Sequence, residues 1–346
     1  MNLRQEKLFI VAVGVLLVFF GEIAYAGRGD KVGTTAAPEL LIPVGGREIG
    51  LGGSSLSTTS GIEAIYWNPA GVARTSFGTE ALFSYMTYIA DIGIEYAAVT
   101  SSFSGFGTVG LSIKSLSFGN IEITTEDAPD GTGQTFSPSY LTIGLTYSRS
   151  LTDRISVGVT TKLISERIDR VSASGFAFDA GIQYSGFANI SGLSIGVAVK
   201  NLGSPMQFGG SGLLREATVA NSRRPASNYN IQASSDELPS VIELGVGYQY
   251  LFEEKNTLSF STLFQNNNFS DDEYKLGLEY GYDNTFFVRG GYNLSEQTVQ
   301  DSYIFGATFG AGVHHDFSGL DLTIDYAYSD VKFFPSSHTM SLKLGF

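Results

Sequence analysis

LDLTIDYAYSDVKFFPSSHTMSLKLGF, residues 320–346, holds two runs of strict alternation. Leu320, Leu322, Ile324, Tyr326 and Tyr328 fall on one parity, with Asp321, Thr323, Asp325, Ala327 and Ser329 on the other. After a break, Met340, Leu342, Leu344 and Phe346 alternate with Thr339, Ser341, Lys343 and Gly345. Successive side chains of a strand point to opposite faces, so a period of two means a sheet with one apolar face. The pattern returns upstream. Ile242, Leu244, Val246, Tyr248 and Tyr250 oppose Glu243, Gly245, Gly247 and Gln249, and Tyr274, Leu276, Leu278 and Tyr280 oppose Lys275, Gly277, Glu279 and Gly281. Leu193, Ile195, Val197 and Val199 oppose Ser194, Gly196, Ala198 and Lys200.

A soluble sandwich also alternates, so periodicity alone does not choose between water and lipid as the outer medium. Segment length does: most run about ten to fourteen residues, longer than soluble strands and suited to tilted strands crossing a bilayer. Tyr and Phe crowd their ends, where rings anchor at lipid headgroups. The expected fold is all-β, a transmembrane antiparallel barrel of about fourteen strands. They are placed at 78–87, 92–104, 107–119, 135–149, 154–168, 173–185, 192–203, 239–252, 256–266, 273–281, 285–293, 301–314, 319–329 and 336–346. Compact turns follow the even strands, while longer polar connections, above all 120–134 and 204–238, mostly follow odd ones. Short turns on the periplasmic side would leave both chain ends there. The alternating end Met340, Leu342, Leu344 and Phe346 resembles the terminal signal read by barrel-assembly machinery.

Composition narrows the classes further. The 346 residues include 42 Gly, 18 Tyr, 25 Phe and no Cys, with 16% charged. Disulfides and reactive thiols are excluded, and a net charge of −13 argues against nucleic acid as a partner. Arg4 and Lys7 precede an apolar stretch from Leu8 to Phe20 and then Ala24-Tyr25-Ala26, so residues 1–26 read as a cleavable signal peptide. That stretch is shorter than the roughly 20 residues a spanning helix needs. The remaining domains are a plug segment, 27–76, and the barrel, 77–346.

Residues 27–76 do not alternate. They contain Val44-Gly45-Gly46-Arg47-Glu48-Ile49-Gly50-Leu51-Gly52-Gly53 and Gly61-Ile62-Glu63-Ala64-Ile65-Tyr66-Trp67-Asn68-Pro69-Ala70-Gly71. With Lys31-Val32-Gly33-Thr34-Thr35-Ala36-Ala37 and the ending Tyr326 to Asp330 followed by His338 to Leu342, this resembles the PorV/PorQ family. Those proteins are relatives of the FadL fatty-acid channel, in which the Asn-Pro-Ala element recurs. The resemblance implies a fourteen-stranded FadL-like barrel whose amino-terminal segment folds inward as a plug. The residues agree with it. Gly45, Gly46, Gly50, Gly52 and Gly53 permit sharp turns and close backbone approach beside Arg47, and Asn68-Pro69-Ala70 sets a fixed turn with Trp67, the sole tryptophan, as a wedge. A surface linker would be less apolar than Ile49, Leu51, Ile62, Ile65 and Trp67 make this segment. The glycine run lacks the order and the following Lys-Ser or Lys-Thr of a nucleotide loop.

Lys162, Lys200, Lys275, Arg289 and Lys343 share the inward parity with Asp179, Glu243, Glu279, Asp321 and Asp325. Charges of both signs in a narrow lumen pair with one another and with the plug, which accounts for the carboxylates without acid-base catalysis. His314-His315 is placed at a periplasmic turn, and adjacent strand residues point oppositely, which argues against a shared metal. No Gly-x-Ser-x-Gly elbow occurs. Arg28-Gly29-Asp30 matches an adhesion tripeptide by letters only. No enzyme activity, metal or cofactor is expected. The loop 204–238, with Arg215, Arg223, Arg224 and Asp236-Glu237, is the natural external contact site.

Two functions follow. The resemblance implies an accessory of type IX protein secretion that moves or holds exported cargo at the cell surface with secretion-system subunits. The alternative is a FadL-like channel for a hydrophobic small molecule, which a lumen lined with charge and glycine suits poorly. A general porin comes third, since a plug would close the water path.

Overall fold

The computed structural model describes residues 33–218, 225–295 and 303–346. The expected signal peptide, Arg28-Gly29-Asp30, Lys31-Val32 and Arg223-Arg224 lie outside them. Fourteen strands close into one antiparallel barrel. They are β1 Thr79–Thr87, β2 Gly93–Phe103, β3 Gly107–Ser117, β4 Ser139–Ser150, β5 Ile155–Ile168, β6 Val171–Ser185 and β7 Leu193–Gly203. Then follow β8 Val241–Phe252, β9 Asn256–Asn267, β10 Glu273–Tyr282, β11 Phe286–Ser295, β12 Phe305–Asp316, β13 Asp321–Val331 and β14 Ser337–Gly345. Each pairs with its neighbour in sequence, and β1 closes on β14 from Glu80 opposite Gly345 to Thr87 opposite His338. Closure leaves no strand edge, which matters where no water is present to bond an exposed N–H or C=O.

β5 shows which face is which. Gly158, Thr160, Lys162, Ile164 and Glu166 are buried while Val159, Leu163 and Arg167 are exposed. The row a soluble protein would bury is outside, with Leu163 at 60% and Val288 at 62% exposure. Only an apolar surround makes that arrangement favourable. On β14 Met340 is exposed on this outer face, as is Phe346 just past the strand's end, while Ser341 is buried on the inner one.

Strand positions match the alternation to within a few residues, and the larger differences have local causes. Thr135–Phe136 pairs with Ile121–Glu122 in a loop ladder rather than extending β4. Pro138, which has no N–H to give, separates them. Connections after even strands are short, such as 253–255 and 283–285. Glu253-Glu254 and Asp283-Asn284 each take positive φ at both residues, as a type I′ hairpin requires. The other mouth carries 118–138 and 204–240, but also the two-residue turn 169–170.

Residues 33–76 run through the lumen, with short helical turns at Pro38–Leu41, Gly46–Gly50, Gly61–Glu63, Ala64–Trp67 and Pro69–Arg74. At the long-loop mouth the Ala36 N–H donates to the Glu237 carbonyl at 2.9 Å. At the short-turn mouth the Gly78 N–H donates to the Phe346 carbonyl at 2.9 Å. The barrel's two ends therefore share one mouth, as strand parity requires. The described part of the luminal segment starts at the other mouth, beside Glu237. An irregular segment crossing the lumen carries the chain from one mouth to the other.

Candidate functional site

The lumen is the site, and its chemistry comes from strand residues on the inner parity and from a segment with no parity. Lys162 pairs with Asp179 at 2.6 Å and donates to the Asn201 side chain at 2.8 Å. Lys200 pairs with Glu243 at 2.9 Å and stands over the rings of Tyr66 and Trp67 at 5.1 and 5.7 Å. Arg289 bonds both Glu279 and Asp325 at 2.6 Å. Burial of such ions is tolerable only with partners placed this closely.

Two expected lumen charges behave differently. Lys275 is only partly buried and pairs with Glu273 at 3.2 Å rather than with Glu279. Asp321 sits at the rim and bonds His314, because it is the first residue of its strand. The histidine pair ends β12 instead of lying in a turn. His314 faces inward to Asp321, while the exposed His315 ring packs on Phe317.

The luminal segment ties into the same network. Arg47 gives two bonds to Glu279, at 3.2 and 3.1 Å, and one to Glu48 at 2.7 Å, and Lys343 donates to Glu63 at 3.1 Å. Glu48, Glu63, Glu279 and Asp325 thus face only Arg47, Arg289 and Lys343, four carboxyls against three cations. Glu48 Oε2 and Glu63 Oε1 meet no donor. Burial pushes the Glu48 carboxyl up to about 7 despite the pull of Arg47. For Glu63 burial acts the same way, but Lys343 and then Arg47 overcome it and hold the carboxyl below its ordinary value.

The glycine and Asn-Pro-Ala elements are contact points. The Gly46 N–H donates to the Ser341 hydroxyl at 3.0 Å, and a Cβ there would sit 2.9 Å from the Asp325 carbonyl. At Gly50 it would meet Gly310 at 3.0 Å. Gly45 and Gly52 take positive φ, and Gly53, also at positive φ, lies under the Trp67 ring. Trp67 packs among Ile49, Met86, Ile94, Leu116 and Ala327, and its Nε1–H donates to the Val44 carbonyl at 3.1 Å. Asn68 accepts from the Ala70 N–H at 3.2 Å and donates to the carbonyls of Leu56 and, on the wall, Ile182 at 3.1 and 3.2 Å. Two wall glycines make room: a Cβ at Gly181 would be 2.0 Å from Asn68 Oδ1, and one at Gly158 would be 2.2 Å from the Pro69 carbonyl.

Sequence reasoning missed Glu39, Glu48, Glu63, Glu80, Lys114 and Glu166, all buried. Glu80, Lys114 and Glu166 lie on the inner parity of their strands, so the signal was present. The other three sit where residue number says nothing about direction.

Two cavities accompany this network, the larger of them polar. A cavity of about 440 Å³ opens at the short-turn mouth, lined by Arg47, Arg74, Ser60, Ser194, Gln249 and Glu279 among others. A much smaller one, about 30 Å³, lies under Tyr66 and Leu40.

Residues 26–267 match the family model described as type IX secretion system protein PorV. The chain belongs to the PorV family. Among solved structures it is similar to the Pseudomonas putida toluene transporter TodX, at 12% identity over 88% of this chain and 97% of that one, with a TM-score of 0.56. The Ralstonia pickettii toluene transporter TbuX is similar at 13% identity over 88% and 98%, TM-score 0.53. A Pseudomonas aeruginosa FadL homologue is similar at 12% over 88% and 98%, TM-score 0.52. These likenesses establish a FadL-like barrel fold for this PorV family member. No curated protein matches the chain. The closed barrel, its apolar outer face and the family together place it in the outer membrane.

Proposed function

We propose that this PorV family barrel is a non-enzymatic accessory of type IX secretion that holds or hands over exported cargo at the cell surface. The family match across residues 26–267 carries this reading. In it, residues 1–26 direct export, the short turns face the periplasm, and 118–138 and 204–240 face outward to meet cargo and secretion subunits. The outer loop has built-in order for that task. Met206–Gln207 pairs with Ser235–Asp236, and Leu214–Ala217 with Ser227–Asn230, two small ladders outside the barrel sheet.

Uptake of a hydrophobic small molecule is the second reading, favoured by the likeness to toluene transporter barrels. A lumen crossed by ion pairs, whose larger cavity is lined by Arg, Ser, Gln and Glu, supports it less, since apolar ligands need apolar walls. Deletion of the gene separates the two. Exported proteins trapped in the periplasm with unchanged fatty-acid uptake are expected; impaired uptake with normal export overturns the proposal.

A further inference from the structure

The outer end of the luminal segment carries a pair of buried groups that the ion pairs above leave unexplained. Glu39, in the turn Pro38–Leu41, is 2% exposed, and Glu166 on β5 is 3% exposed. Ala37 and Leu40, on either side of Glu39, pack in one cluster with Ile164, the next inward residue to Glu166, and the two carboxyls press on each other electrostatically. Neither Oε1 nor Oε2 of Glu39 meets a protein donor in bonding geometry, and nor does Glu166 Oε1. Lys114 on β3 and Tyr140 on β4 also face the pair. The Lys114 ammonium, however, is given to the Ile42 carbonyl at 2.7 Å, and Lys162 is bound to Asp179. From β6 and the β7–β8 loop the neighbours are apolar: Ala173, Ala177, Met206 and Leu238.

Two bare carboxylates side by side, buried and with no bonded cation, repel each other and forfeit hydration. One proton removes both difficulties, because a neutral carboxyl donates to its ionised partner. The position matters as much as the chemistry. Around Glu39 the segment is held by the Ala36 bond to Glu237, by Ala37 and Leu40 in an apolar cluster with wall and loop, and by the Tyr66 hydroxyl donating to the Leu40 carbonyl at 3.2 Å. This short stretch therefore joins the wall, the longest external loop and the aromatic pair beneath.

We propose that a proton shared by Glu39 and Glu166 latches residues 36–42 to the wall at the long-loop mouth, and that losing it frees this stretch and the loop bound to it. Burial, with Glu166 as the next cause, pushes Glu39 up to about 8. The sign follows. A folded-state value raised above the ordinary one contributes stability that is complete below the ordinary value and lost as pH rises through about 8. The mouth is latched in acid and neutral surroundings and loosens in alkali.

The test uses the full processed barrel in detergent or nanodiscs. Hydrogen exchange of the Ala36, Leu40 and Ile42 amides, which bond the carbonyls of Glu237, Ala37 and Glu39, is compared at about pH 6 and about pH 9.5, on either side of the latch's titration. Each rate is divided by that of the unstructured peptide at the same pH. The corrected rate is expected to rise about tenfold in the wild type, the equivalent of one pKa unit. Glu39→Gln and Glu166→Gln should each keep it within about twofold, since neither pair can then become doubly charged. Acrylamide quenching of Trp67, the sole tryptophan, reports the same release through its bond to Val44. A wild type equally protected at both values, or a Glu39→Gln protein that rises as the wild type does, overturns the latch. A response abolished by Glu48→Gln but kept in Glu39→Gln overturns it too, by assigning the proton to the central network. If Glu39→Gln fails to assemble, Glu166→Gln decides alone.

Discussion

Arg289 on β11 and Asp325 on β13 join at 2.6 Å across the strand between them, directly over Gly312. A Cβ at Gly312 would stand 2.2 Å from Asp325 Oδ1 and 2.7 Å from Arg289 Nη1. Glycine at that place is therefore a condition of the ion pair. Arg289→Met strips Asp325 of its bonded cation and is expected to cost about 3–5 kcal/mol, the penalty of an orphaned buried charge. Gly312→Val should also destabilise although it changes no charge, because its side chain occupies the path of the pair. The midpoint of urea unfolding, followed by the electrophoretic shift of the folded barrel, checks both. A Gly312→Val midpoint equal to that of the wild type would refute the steric account.

Asn68 makes two side-chain bonds within the segment and one to the wall, so removing its side chain leaves the Leu56 carbonyl with one donor fewer and takes the Ile182 bond away. Asn68→Ala is expected to lose about 1–3 kcal/mol of seating energy. Asn68→Asp should be worse, since it turns an acceptor toward two carbonyls. Limited proteolysis of residues 33–76 with the barrel band intact is the readout, and equal resistance in both variants would count against this role.

Glu48 supplies a pH dependence of its own in the centre of the lumen. Its carboxyl is raised from 4.5 to about 7, first by burial. Its contribution is complete below 4.5 and declines as pH rises through about 7. Glu48→Gln is expected to flatten this part of the stability profile between those values. Thermal unfolding of the two proteins across the interval measures it, and parallel profiles would show that the central excess of carboxyls binds no proton there.

The outer face predicts an asymmetry between neighbouring residues of one strand. Leu163→Arg places a charge in hydrocarbon and should destabilise by about 2–4 kcal/mol near the middle of the bilayer. Thr161→Ser, on the same face, should be nearly silent. Refolding yield into lipid vesicles and the unfolding midpoint give the comparison, and a tolerated Leu163→Arg would contradict the lipid-facing assignment.

Much of the barrel was legible because alternation couples residue number to direction. Once Leu163 is outside, Lys162 and Ile164 must be inside, and the same rule puts Asp179, Glu243 and Arg289 in the lumen. The rule weakens at strand ends. Asp321 obeys parity but reaches the rim, and His314 becomes its partner instead of a solvated turn residue. The luminal glycines were readable as points of close approach, but not the surfaces they approach. Gly158 and Gly181 looked like ordinary strand residues until Asn68 and Pro69 lay against them.

The chain's own order of residues determined the strand count, the two faces of the wall and the existence of an irregular apolar segment ahead of it, because a repeating backbone turns sequence position into orientation. Only the tertiary structure decided that Lys343 meets Glu63, 280 positions away, that Glu39 finds another carboxyl rather than a base, and that the segment enters at one mouth and leaves at the other. Those outcomes depend on how a chain without a repeat is confined in the lumen, where distance along the sequence no longer measures distance in space.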